Sequence, residues 1–341
     1  MSALVARLDN AGDVLLAGPA VRAAAATHGP VTFVAGPTGA AAAQLLPGVG
    51  EVLVLDAPWV AERSPGVAAA PLDAFTSSVR ERAPDVGVVL TSWHQSPLPL
   101  ALLLRLAGVP RLGAVSVDFA GSLLDVRLRV PEDVSDDLHE VQRALAVTTA
   151  LGLPLPAGDD GRLRVELPAE EPLAVVDVVL HPGASVPARA WHTDGYAALA
   201  ALLTAEGLSV AVTGGPAERP QTAAVAAAAR GVLDLGGATD LGGLGLVLAA
   251  AQVVVTGNTG PAHLSAAVGT PVVSVFAPTV PAQRWRPWSV PQVLLGDQGI
   301  ACAGCRARVC PVPGHPCTDA VPADEVLQAV RSLVGVAACA S

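Results

Sequence analysis

The chain runs to 341 residues, 52% hydrophobic and only 15% charged, so it can bury a large core and is not a disordered chain. Its net charge of −10 argues against nucleic acid as a partner and against a simple electrostatic membrane patch. All 20 basic residues are arginine. With so much Ala, Gly, Pro and Val this reads as a coding bias, and an Arg where a Lys is expected carries little meaning.

Residues 1–16, MSALVARLDNAGDVLL, show no charged stretch ahead of a long apolar core and do not read as a signal peptide. A short strand at 4–8 leads through Asp9-Asn10-Ala11-Gly12 into a helix over about 13–26. Strands follow at 31–35, 51–55, 86–90 and 111–115, with helices at 40–46 and 98–107. Alternation of this kind implies a parallel sheet covered by helices on both faces. From 152 to 171 the chain turns polar and Pro-rich, as a linker does.

A second βα series comes next, with strands at 175–180, 209–213, 232–235, 252–256 and 271–276. Helices at 193–206, 220–230, 241–250 and 261–268 lie between them. The long apolar stretch 241–257 contains glycines and is a helix followed by a buried strand, not a membrane span. The expected architecture is α/β: two Rossmann-like doubly wound domains, 1–160 and 161–322, facing a central cleft at the carboxyl ends of their strands. A last helix within 323–341 is long enough to cross back onto the first domain. The default location is the cytoplasm, with at most peripheral membrane contact.

Five places carry candidate chemistry. Val253–Pro278 reads strand, Gly-rich turn, helix, strand; Gly257-Asn258-Thr259-Gly260 precedes Pro261 at a first helical position, and His263 follows within one turn. Unpaired N–H groups at such a helix start favour an anion, so this is a phosphate cradle. His181-Pro182-Gly183-Ala184-Ser185, with Arg189 and Trp191, forms a second strand–loop–helix junction offering a hydroxyl, a close backbone approach and a guanidinium fork. In Thr213-Gly214-Gly215-Pro216-Ala217-Glu218 the carboxylate suits ribose hydroxyls, or simply stabilises its own helix start. Gly12-Asp13 opens the first helix; Asp13 is either an N-cap or a carboxylate held ionised by the helix dipole and able to accept a proton. Finally Cys302, Cys305, Cys310 and Cys317 fall within 16 residues, with His315 nearby, a candidate structural zinc cluster although the spacing is not that of a zinc ribbon.

The chain holds no Asp-x-Asp triplet, the usual metal-dependent diphosphate-sugar signature, and without lysine it holds no P-loop. RLDNAGDVLLAGPAVRA, HPGASVPARAW, TGGPAE and GNTGPAHLSAAVGTPVVSVFAPTVP, in that order, resemble the motifs of glycosyltransferase family 9, the heptosyltransferases of lipopolysaccharide core assembly. The resemblance implies a GT-B fold and an inverting, metal-independent transfer from an ADP-activated heptose to a hydroxyl of a glycan, lipid or small molecule. On it Asp13 matches the general base beside Gly12. Arg189 matches a phosphate-binding lysine, and Ser185, Thr259, Gly260 and His263 match the diphosphate cradle, beside the donor-binding Gly183 and Gly12. Glu218 matches a ribose position, and Asn258 stands where the family usually has Asp, near sugar or phosphate. Ala277 replaces a common Gly and Val280 a common Asp. For the acceptor the sequence offers only Trp93, His94 and Gln95, at a strand end. The competing expectations are a nucleotide-sugar epimerase or hydrolase on the same scaffold, and a catalytically silent nucleotide-sugar binder.

Overall fold

The computed structural model describes residues 2–60, 66–92 and 95–335. The chain divides into two compact units, Met1–Glu166 and Leu167–Ser341. The first is built on strands β1 (Ala3–Arg7), β2 (Val31–Ala35), β3 (Val49–Val54), β4 (Val86–Leu90), β5 (Leu112–Val115) and β6 (Val126–Leu128). The second uses β7 (Val178–His181), β8 (Val210–Gly214), β9 (Leu233–Gly236), β10 (Val253–Gly257), β11 (Val272–Val275) and β12 (Gln292–Leu295).

Every pairing is parallel. The spatial orders are β3-β2-β1-β4-β5-β6 and β9-β8-β7-β10-β11-β12, the same doubly wound order twice. In such a sheet the strand order reverses once, and the loops leaving the two strands at that point diverge to opposite sides and open a crevice. The reversal lies between β1 and β4 in the first unit and between β7 and β10 in the second. Near-continuous Val and Ala runs make this possible: β1, β4, β7, β8 and β10 are buried along their whole length, as strands covered on both faces must be.

The first unit's core joins Leu4, Ala6, Val34 and Val89 to Phe75, Val79 and Leu104 of helices Ala69–Arg82 and Leu98–Leu106. Helices Gly18–His28 and Glu140–Ala150 pack on one another and on the same sheet. The second core joins Leu180, Val212, Val255 and Val275 to Trp191, Tyr196 and Leu199.

Three differences from the sequence reading matter. The first helix is two, Ala11–Leu16 and Gly18–His28, because Pro19 carries no N–H and restarts the helix at its first turn. Strands β6 and β12 and helices Ala69–Arg82 and Glu140–Ala150 were not anticipated. The last helix, Ala323–Leu333, puts Val326, Leu327, Val330 and Leu333 into the second unit's own core, a packing the sequence reading did not give, and residues 336–341 of the 323–341 segment expected to return to the first domain lie outside the described residues. Its amphipathic face is consumed by β10, β11, β12 and helix Thr193–Ala205. No helix among the described residues is long and apolar enough to cross a membrane.

Candidate active site

In the second unit the loops leaving β7 and β10 at the reversal point are the two that the sequence singled out. They are in contact. A Cβ on Gly257 would lie 2.7 Å from the Arg189 carbonyl oxygen, so only glycine lets the end of β10 approach the turn that carries Arg189. That turn, Pro187–Arg189, is a 3-10 turn, followed by fully buried Trp191 tilted onto Tyr196 at 4.9 Å between ring centroids. The stacked pair anchors the loop to the core and leaves Arg189 half-buried beyond it, while Ser185 stays exposed.

After β10, Asn258 is buried and its Nδ2 donates to the Ala277 carbonyl at 3.4 Å, while its Oδ1 meets no protein donor. Thr259 begins helix Gly260–Val268, and its hydroxyl turns to Thr256 at 3.2 Å and does not cap the helix. The helix start at Gly260 is therefore left without a side-chain cap, as a ligand-receiving N-terminus is. His263 is buried in its first turn. Thr279, after β11, is also buried with an unpartnered hydroxyl. Buried polar atoms are costly unless paired, and Asn258 Oδ1 and Thr279 Oγ1 have no protein partner. Sequence reading passed over Thr279, whose only signal was its place in a Pro-bracketed loop at a strand end.

Glu218 is held within the second unit's own loops. Its carboxylate accepts from Gly215 N at 2.6 Å, lies 3.9 Å from His181 Nε2, and occupies the space a Cβ on Gly183 would fill. Gly183 thus packs its bare backbone against that carboxylate. Burial pushes the His181 imidazole down to about 4, against the opposing pull of Glu218, and its Nδ1 shares a hydrogen bond with the Thr213 hydroxyl at 3.0 Å.

The Cys-rich segment straps these loops through its backbone. Gly304 N donates to the Pro278 carbonyl at 2.7 Å, Arg306 N to Thr279 at 3.0 Å, and the Arg308 carbonyl receives Ala188 N at 2.9 Å. Cys302, Cys305, Cys310 and Cys317 are all free thiols. Among the described residues no group of three His, Cys, Asp or Glu side chains is placed to hold a metal ion. Burial, reinforced by the neighbouring Cys310, Cys302 and Cys305, pushes the Cys317 thiol up.

In the first unit Asn10 is the N-cap: its Oδ1 accepts from Gly12 N at 3.1 Å and Asp13 N at 3.4 Å. Asp13 is thereby released from capping. Its carboxylate pairs with Arg7 Nη2 at 3.1 Å, at the end of β1 beside the reversal point. Arg7 itself, 3% exposed, also meets Asp9 at 2.5 Å and Glu140 at 3.0 Å. Neither Arg7 nor Glu140 was singled out from the sequence. An Arg closing a fully apolar strand was the available signal for one, and the His139-Glu140-Val141-Gln142 capping box for the other. Of the three acceptor candidates, Trp93 and His94 lie outside the described residues, and Gln95 donates to Asp9 at 2.6 Å.

Known proteins bear on these loops. The sequence model of glycosyltransferase family 9 (heptosyltransferase) matches residues 74–315, which include every loop of the second unit described above but not Asp13. Lipopolysaccharide heptosyltransferase 1 of Pseudomonas aeruginosa is 31% identical over 68% of this chain, and the match spans 65% of that protein's length. A glycosyl transferase family 9 protein from Veillonella parvula superimposes with a TM-score of 0.79 at 17% identity, covering 98% of this chain and 97% of its own. E. coli heptosyltransferase WaaC with ADP-2-deoxy-2-fluoro heptose does so with a TM-score of 0.69 at 19% identity, over 97% and 99%. The two sheets are those of a GT-B fold, and the chain belongs to glycosyltransferase family 9, the heptosyltransferase family.

Proposed function

We propose that this protein is an inverting, metal-independent glycosyltransferase that moves heptose, or a related sugar, from an ADP-sugar to a hydroxyl of a glycan, lipid or small molecule. Asp13 takes the acceptor's proton as its oxygen attacks the anomeric carbon. The bond from that carbon to the diphosphate breaks on the opposite side, and ADP leaves. The observation that carries the reading is the division of labour at the first helix: Asn10 caps, and Asp13 keeps its carboxylate for other work.

The second unit holds the donor. Arg189 and the uncapped helix start at Gly260 stabilise the departing diphosphate, whose charge develops as the bond breaks. Ser185, Thr259 and His263 line the same loops, and Gly183 and Gly12 let backbone approach. Asn258, with its unpartnered Oδ1, accepts from a donor hydroxyl. Glu218 faces the ribose with the part of its carboxylate not taken by Gly215. The positive groups of this arrangement replace the charge that a metal supplies in Asp-x-Asp enzymes. The name of the Pseudomonas relative and the ADP-heptose analogue on the E. coli structure support ADP-heptose as donor and a lipopolysaccharide core as the acceptor context. The enzyme works in the cytoplasm, with at most peripheral membrane contact.

A thermal-shift screen of nucleotide-diphosphate sugars tests the donor. At a hundred times its Kd a ligand adds about 2.7 kcal/mol of stability. A response to ADP-heptose and none to UDP- or GDP-sugars is expected; the reverse overturns the assignment. Asp13→Asn is expected to lower kcat by about 10²–10⁴ with donor binding intact.

A further inference from the structure

The Arg7 guanidinium uses its three nitrogens on three different carboxylates. Nε meets Asp9 Oδ2 at 2.5 Å, Nη1 meets Glu140 Oε2 at 3.0 Å, and Nη2 meets Asp13 Oδ1 at 3.1 Å. Nη2 also donates to Ser92 Oγ at 3.0 Å. Because every basic residue of the chain is Arg, the residue type alone says nothing. The three-way use of its fork does, since a lysine ammonium cannot reach three carboxylates in a plane.

The carboxylates differ in access. Glu140 is 1% exposed, Asp9 7% and Asp13 13%. Asp9 is further held by Gln95 Nε2 at 2.6 Å, and Glu140 starts helix Glu140–Ala150, where Arg143 lines the same small cavity as Arg7 and Glu140. Asp13 alone of the three stands toward solvent. Burial by itself would make Arg7 easier to deprotonate, but Asp9, Glu140 and Asp13 outweigh it and hold the cation charged. One buried cation thus serves two buried carboxylates and one that is accessible.

We propose that Arg7 is a positioning residue for Asp13, aiming its carboxylate and keeping it ionised, and that Glu140 competes for the same guanidinium and so sets how strongly Asp13 feels it. This rests on the reading of Asp13 as general base. A proton-accepting carboxylate must be ionised and correctly aimed before the acceptor arrives, and a buried guanidinium fixed by two further carboxylates supplies both.

The test uses the full chain with 13C-labelled aspartate, following the Asp13 carboxyl titration by NMR. Alongside it runs the kcat–pH profile for transfer from ADP-heptose to deacylated, heptose-deficient lipopolysaccharide core. Arg7→Gln is expected to move the Asp13 midpoint and the acid limb up by about one pH unit, because an adjacent cation no longer opposes protonation. It should also lower kcat at least about tenfold while leaving the donor KM within about twofold. Arg7→Lys keeps the charge and loses the fork, so kcat falls while the midpoint stays. Glu140→Gln, isosteric and independent of Arg7's folding role, moves the midpoint down.

If Arg7→Gln does not fold, Glu140→Gln and Arg7→Lys decide by the same readouts. A midpoint unmoved by Glu140→Gln and by any folded Arg7 variant, with kcat falling only as the folded fraction falls, makes the cluster structural and overturns the proposal. Undiminished turnover in Asp13→Asn sinks the general-base reading itself. An inactive Asp13→Asn beside an unmoved midpoint sinks only the role of Arg7.

Discussion

Asn10 and Asp13 lie three residues apart and both are good N-caps, so local preference alone leaves the assignment open. The contacts decide it: Asn10 accepts the two N–H groups, and a buried Arg7 draws Asp13 away. Asn10→Ala is accordingly expected to cost about 1 kcal/mol of stability, read from urea unfolding. An unchanged midpoint would return the cap to Asp13. Arg7 shows the limit of reading by residue type. Its position at the end of an apolar strand was visible, but its partner Glu140 is 133 residues away in sequence and no local pattern joins them. Asn258 was legible as a departure from the family's Asp. That its Oδ1 is left unpartnered in the interior only the fold reveals.

The candidate loops of the second unit are strand–loop–helix junctions, and these were legible because Gly, Pro and β-branched runs punctuate them. Their mutual contact was not. Gly257 sits against the Arg189 carbonyl oxygen, and that is backbone, which cannot swing aside as a side chain can. Gly257→Ala is therefore expected to wedge the two loops apart, costing about 1–3 kcal/mol by thermal unfolding and weakening ADP binding by calorimetry. Full ADP affinity in this variant would show that the two loops do not act as one site. The Cys-rich strap teaches the complementary lesson. Four cysteines within 16 residues drew the eye to side chains, and the segment's backbone hydrogen bonds to Pro278, Thr279 and Ala188 had no signal in the sequence. Helices Ala69–Arg82 and Glu140–Ala150 escaped notice for another reason: polar residues interrupt their apolar positions, and packing supplies stability that the local pattern does not announce.

At the scale of the whole molecule the two units are expected to respond to acid in different windows. In the second unit His181 is held at about 4, below the ordinary imidazole value of 6.5, so the unfolded chain binds the extra proton first. Its contribution is complete above pH 6.5 and is lost as pH falls towards 4, about 3 kcal/mol in all. In the first unit Asp159, bonded by Arg22 with further support from Gly161 N and Arg164, is held well below the usual carboxylate range. Its contribution persists above the unfolded carboxylate value of 3.8 and is lost only under stronger acid. Hydrogen exchange against pH is expected to show the second unit loosening first between pH 6.5 and 4, with His181→Gln flattening that slope; equal protection in both units at pH 5 would contradict it. The sequence by itself determined the βα rhythm, the doubly wound class and the Gly-rich loops, because each depends on residues close together in the chain. Tertiary structure alone decided which carboxylates share Arg7, which loops touch and whose core the last helix completes. Each of those depends on side chains that the chain order keeps apart and that only packing brings within a few ångströms.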